Sequence, residues 1–131
     1  MIGFDTNILV RYLVEDDPEQ TRLADRLIDS LTSTNPGWVG LTALAETVWV
    51  LTRTYRLNRR RIVSILESLL VSREIVVEQS EMVREALRLY RSGKADFPDC
   101  LIALSATAAG CSRTVTFDWR AARDAGMELL A

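Results

Sequence analysis

Histidine is missing from all 131 residues, and the chain has a single lysine and two cysteines. Without imidazole there is no serine- or cysteine-type triad, no histidine-based zinc site and no imidazole acid/base pair, so any catalysis must lean on carboxylates, hydroxyls, arginine or a metal. Cys100 and Cys111 are eleven positions apart with no CxxC pattern, and they are read as reduced and structural. Long apolar runs are also lacking. The weakly polar stretches Val39 to Ala45 and Cys100 to Cys111 fall short of the ~20 residues a bilayer span needs, and no charged leader precedes a signal-like core. The expectation is a cytoplasmic protein with no membrane partner. A net charge of −2 gives no global basic field of the sort that marks many nucleic-acid binders.

What is present is ordinary in bulk: 48% apolar and 26% charged residues, enough for one domain, residues 1–131, with a real core. Short apolar runs near Met1–Phe4, Trp38–Leu41, Ile75–Val77, Arg113–Phe117 and Met127–Leu130 read as strands. Between them lie stretches with apolar residues every three or four positions, which read as helices. Asp17 with Pro18, Thr42, Asn58, Ser80 and the Asp96–Phe97–Pro98–Asp99 segment are helix-starting signals. Gln20 stands at the reach-back place of a capping box, and Gly110 can close the helix that follows Asp99. Strands of three to five residues alternating with amphipathic helices predict an α/β fold, a mostly parallel sheet of four to five strands with helices on both faces.

Five acids stand out in that frame. Asp5 and Asp118 directly follow the first and fourth strands. Glu46 lies about one turn into the helix after the second, and Asp96 and Asp99 open the helix that leads to the fourth. Helix starts and strand ends share one edge of a parallel sheet, so these carboxylates are expected at one rim. Two readings apply to each. An acid at a helix start accepts hydrogen bonds from free N–H groups, and Asp96 with Asp99 three residues later looks like such a capping pair. Capping does not explain the recurrence at one rim, or Glu46, which lies too deep for a cap. Converging carboxylates repel unless a cation neutralises them, and an oxygen-only donor set suits Mg²⁺ or Mn²⁺. Thr6, Asn7 and Thr116 are placed to hydrogen-bond the carboxylates or metal waters, or simply to serve as turn and strand residues.

Five of the fifteen arginines, Arg53, Arg56, Arg59, Arg60 and Arg61, crowd one region. They read either as a face for an anionic partner or as a solvated helix surface.

The opening Ile2 to Asn7, the segment Leu44 to Leu51 (LAETVWVL), the segment Ala95 to Ala106 (ADFPDCLIALSA) and Thr116–Phe117–Asp118 together resemble PIN-domain proteins, most closely the VapC-type toxins of bacterial toxin–antitoxin pairs. The resemblance runs the length of the chain in order. It implies a PIN-like three-layer α/β/α sandwich, with Asp5, Glu46, Asp99 and Asp118 as catalytic metal ligands and Asp96 an accessory acid. Thr116 would steady the metal–water network, and Asn7, with Thr6, would neighbour the first acid. It further implies a Mg²⁺- or Mn²⁺-dependent endoribonuclease that cuts RNA, commonly tRNA or ribosomal RNA, with metal-activated water. The implied partners are a second copy in a homodimer and a small antitoxin. Exposed aromatics such as Trp49 or Tyr55 are candidates for contact with another chain. Two other readings are kept beside the toxin: a housekeeping RNA-processing nuclease of the same fold, and a non-catalytic interaction module whose acids only cap helices.

Overall fold

The computed structural model describes residues 1–130, which divide into two compact units, Met1–Ser80 and the stretch from Glu81 onward. The first unit begins with β1 (Ile2–Gly3), α1 (Thr6–Leu13) and α2 (Pro18–Asp29). It continues through β2 (Gly37–Val39), α3 (Leu41–Arg53), α4 (Arg59–Val71) and β3 (Ile75–Val77). Its three strands are parallel in the order β1-β2-β3, with Ile2 opposite Gly37, and Trp38 opposite Val76. Each strand-to-strand connection carries two helices, which is the crossover a parallel pair requires.

The apolar stripes of these helices make the core. Leu9 and Val10 of α1, Leu44, Val48 and Leu51 of α3, and Ile62 and Leu66 of α4 are buried with Phe4, Val39 and Val77 from the sheet. Several helix starts follow their sequence signals. Asp17 accepts the Gln20 N–H at 3.1 Å, with Pro18 in the first helical position, and Asn58 accepts the Arg61 N–H at 2.9 Å. Gln20 does not reach back; its side-chain oxygen accepts from Arg11 Nε at 2.6 Å, since an ion-rich neighbour on α1 outcompetes the cap.

The expected start of α3 at Thr42 is corrected. The cap position is Gly40, which has no side chain to offer, and the N–H of Leu41 is satisfied from a distance by Glu78 Oε1 at 2.8 Å. A Cβ at position 40 would lie 2.9 Å from the Trp38 ring, so a side-chain cap has no room there.

The second unit contains α5 (Ser80–Ser92), α6 (Phe97–Ala108), β4 (Val115–Thr116), α7 (Trp119–Asp124) and β5 (Glu128–Leu129). The strands β4 and β5 pair in parallel, Val115 opposite Glu128 and Thr116 opposite Leu129. Val83, Ala86, Leu87 and Tyr90 of α5 are buried, as are Phe97, Cys100 and Leu101 of α6. Tyr90 and Phe97 meet edge to face with ring centres 5.9 Å apart, an arrangement the ring quadrupoles favour. The helix α6 starts at Phe97 with Asp96 in the cap position, inside the segment read as its opening, because Pro98 is pre-set for a first turn. Gly110 follows its end with φ +94°, the left-handed turn anticipated there.

The architecture is therefore α/β. Among the described residues the strands are short and parallel wherever they pair, in one ladder of three and one of two. Among the described residues no helix is long and apolar enough to cross a membrane.

Candidate active site

In the first unit Asp5 is the N-cap of α1. Its backbone is extended, and its Oδ1 accepts the N–H of Thr6 at 2.7 Å. That leaves Oδ2 of an exposed carboxylate facing outward from the end of β1. Thr6 is buried and Asn7 exposed, so the two polar residues after Asp5 divide into one that packs and one that faces solvent.

Glu46 comes to the same place from α3. That helix starts at Leu41, so Glu46 sits five positions past the first helical residue, a little over one turn in and too deep for a cap. Its side chain is exposed and takes no part in capping. Asp5 and Glu46 together line two clefts. One, of about 360 Å³, is walled by Trp38, Thr42 and Glu78. The other, of about 320 Å³, is walled by Asn7, Arg11, Val50 and Tyr55.

The second cleft has a rigid wall. Tyr55 donates its hydroxyl to Asp16 Oδ2 at 2.6 Å, and Arg11 Nη1 bonds the other oxygen of Asp16 at 3.1 Å. The hydrogen bond to Asp16 pushes the Tyr55 phenol up, and the phenol in turn holds the Asp16 carboxyl below its usual range. Tyr55 is thus half-buried and engaged within the chain, which corrects its expectation as an exposed aromatic; Trp49 is 54% exposed.

Glu78 is a residue that the sequence reading passed over as the mere boundary of a strand. It lines the first cleft and caps α3, the helix that carries Glu46. A glycine where a capping side chain is expected is the signal that a distant acceptor must be supplied.

In the second unit Asp96 occupies the N-cap position of α6, but its carboxylate makes no capping hydrogen bond. The capping account of Asp96 and Asp99 is thereby corrected: the backbone is set by Pro98, and the carboxylate is left exposed. Asp99, in the first turn of the helix, is half-buried. Burial pushes its carboxyl up, and the neighbouring charges of Asp96 and Asp118 push it further in the same direction.

Asp118 follows β4 and caps α7, its Oδ1 accepting the Arg120 N–H at 2.9 Å. Thr116 holds this turn from below, since its Oγ1 accepts the Asp118 N–H at 3.0 Å. The hydroxyl proton of Thr116 stays available for a further acceptor.

A hard divalent cation takes oxygen donors such as these carboxylates. Among the described residues no three Asp, Glu or Cys side chains form a ready-made cage. Mg²⁺ asks for less than a cage, because it keeps several waters and binds through one or two carboxylates plus substrate phosphate. Burial first, and the like charges of Asp96 and Asp118 second, raise the Asp99 carboxyl, and a bound cation would favour its ionised form. Oxygen donors of the type such an ion takes are present in each unit, Asp5 and Glu46 in the first and Asp96, Asp99 and Asp118 in the second.

The arginine cluster surrounds the end of α3 and the first turn of α4. Arg53, Arg56, Arg60 and Arg61 are exposed and Arg59 is half-buried, with Arg56 in a left-handed conformation at φ 55°.

Comparison with known proteins gives two findings. A sequence model described as PIN domain matches residues 2–126. A protein named VapC ribonuclease from Aquifex aeolicus (strain VF5) is 26% identical over 117 residues, covering 88% of this chain and 86% of that protein.

Proposed function

The chain belongs to the PIN domain family, and we propose that it is a Mg²⁺- or Mn²⁺-dependent endoribonuclease acting as the toxin of a toxin–antitoxin pair. The observation that carries this reading is a repeated placement: a carboxylate directly after a strand with a second acid beside it. Asp5 follows β1 and shares its clefts with Glu46, while Asp118 follows β4 and acts on the half-buried Asp99. The similarity to a protein named VapC ribonuclease supports RNA as the substrate.

In this reading Asp5, Glu46, Asp99 and Asp118 are the metal-holding acids. When bound, the ion would lower the pKa of an attacking water and neutralise charge on the phosphodiester. The chain itself supplies positioning. Thr6 fixes one oxygen of Asp5, and Thr116 sets the turn of Asp118. Asp96 is the accessory acid, raising the proton affinity of Asp99 and adding to the field that draws a cation. Asn7 lines the cleft beside Asp5 and is a hydrogen-bond partner for substrate or water. The assembly that completes the proposal is a cytoplasmic homodimer of single-domain chains, silenced by a small antitoxin and cutting tRNA or ribosomal RNA.

The test is to map RNA 5′ ends in cells after inducing the wild type or Asp5→Asn. New 5′ ends and growth arrest with the wild type alone are expected, and identical profiles would sink the reading.

A further inference from the structure

We infer that Phe117 and Trp119, the two residues that flank Asp118, form a stacking platform for an unpaired RNA base beside the bond to be cut. This rests on the ribonuclease reading above and adds to it two base-contacting residues.

Phe117 is 83% exposed, more than any other large apolar side chain of the described residues, and Trp119 is 54% exposed. Folding does not require either ring there. The buried positions of this stretch are filled by Ala121 and Met127, and the α7 turn is closed by hydrogen bonds of Thr116, Asp118 and Arg120. Those same bonds restrain the backbone from which both rings project, on either side of Asp118. Exposed planar rings separated by one carboxylate are of little use to a packed core, but every nucleobase has a face that such rings can cover.

The surrounding charge suits a nucleic acid. The guanidinium of Arg123 lies 4.6 Å from the Trp119 ring centre and that of Arg120 lies 5.7 Å from it. Arg123 is also tied to Asp124 at 2.8 Å, whereas the exposed Arg120 offers its guanidinium beside the ring. An aromatic surface edged by arginine binds a base on the ring and its phosphate on the cation. Aliphatic residues are exposed nearby, Val115 at 46% and Leu129 at 42%, as a protein partner would use. The residues adjoining Asp118 are the aromatic ones, and for this reason the platform is assigned to RNA.

The decisive experiment uses the whole chain in EDTA, so that nothing is cut, with a short unstructured RNA carrying 2-aminopurine and the same RNA annealed to its complement. The wild type should quench the single strand and bind the duplex more weakly. Phe117→Ala and Trp119→Ala should each weaken single-strand binding roughly 5-fold or more and remove part of the quench, with the melting temperature unchanged. Phe117→Tyr should keep both, and Phe117→Leu, apolar but not planar, should not.

Equal binding by wild type and Ala variants would overturn the platform. So would a change in oligomeric mass with RNA binding intact, which would make the patch a protein interface. With Mg²⁺ supplied in place of EDTA, wild type that cuts RNA while the variants cut it equally well refutes the platform alone. Wild type that neither binds nor cuts RNA refutes the ribonuclease reading and the platform with it.

Discussion

In the first unit Asp5 and Glu46 stand exposed on a frame of three parallel strands and four helices, while in the second Asp99 is half-buried beside two other acids on a ladder of only two residues per strand. The first arrangement spends its stability on packing and leaves its charges dilute. The second concentrates charge where the frame is slight, so its acids gain more from a cation than those of the first. Placement by packing and activation by crowding are thus divided between the two units.

The largest effect that separates them is expected at Asp99. Asp99→Asn should cut metal-dependent RNA cleavage by roughly 100-fold or more, the scale of losing a group that orients a metal site, and Asp96→Asn should cost far less. Full activity in Asp99→Asn with none in Asp96→Asn would reverse the assignment.

The same variant tests the crowding itself through pH. Because the folded state raises the Asp99 carboxyl above its ordinary 3.8, the fold binds that proton more tightly than the unfolded chain does. Stability therefore falls as pH rises through the window above 3.8, and the cost persists at neutral pH. In EDTA at pH 7 Asp99→Asn should melt higher than wild type, with the gap closing below pH 3.8. Added Mg²⁺ should stabilise the wild type more than the variant. A lower melting temperature for Asp99→Asn at pH 7 would show that a charge half-buried beside Asp96 and Asp118 is not costly there.

A middle-sized effect probes the packed unit. Glu78→Ala removes the acceptor of the Leu41 N–H and should destabilise the fold by about 1 kcal/mol in a denaturant titration, the usual worth of a helix cap. Glu78→Gln keeps an acceptor and should recover most of it. If both variants unfold alike, the carboxylate acts through charge rather than through the cap.

The smallest effect is at Thr116. Thr116→Val loses the hydrogen bond to the Asp118 N–H and should cost about 1 kcal/mol or less. Activity at saturating RNA should drop several-fold, while RNA affinity in EDTA stays the same.

Much of this was legible beforehand, for reasons that differ by element. Ile75–Val77 is a run of β-branched residues between two glutamates, and the strand has those limits. Asp17–Pro18 and Asn58 are local devices that need nothing from the rest of the chain, and both cap as read. The α/β class followed from the alternation of such elements.

Where the reading slipped, a partner distant in sequence was responsible. Thr42 lost the cap of α3 to Glu78, thirty-seven residues from the Leu41 N–H it accepts, and Tyr55 lost its exposure to Asp16, thirty-nine away. Asp96 shows the opposite case. Its backbone follows the proline signal, but its side chain declines the bond that the capping pattern predicts. At the candidate site the sequence named acids but not their surroundings. That Asp5 and Glu46 share clefts with Arg11, Tyr55 and Glu78 depends on how α1, α3 and β3 are brought together, which no local pattern carries.

Asp5 and Asp118 each cap a helix through one carboxylate oxygen, so capping and ligand binding draw on different atoms of the same group. The consequence is entropic. Torsions already restrained by a cap have little rotamer freedom left to lose when a ligand arrives, whereas Glu46, exposed and uncapped, must lose its own on binding. In the proposed reading the two aspartates would be preorganised donors, and Glu46 the arm that follows a substrate in and releases it afterwards.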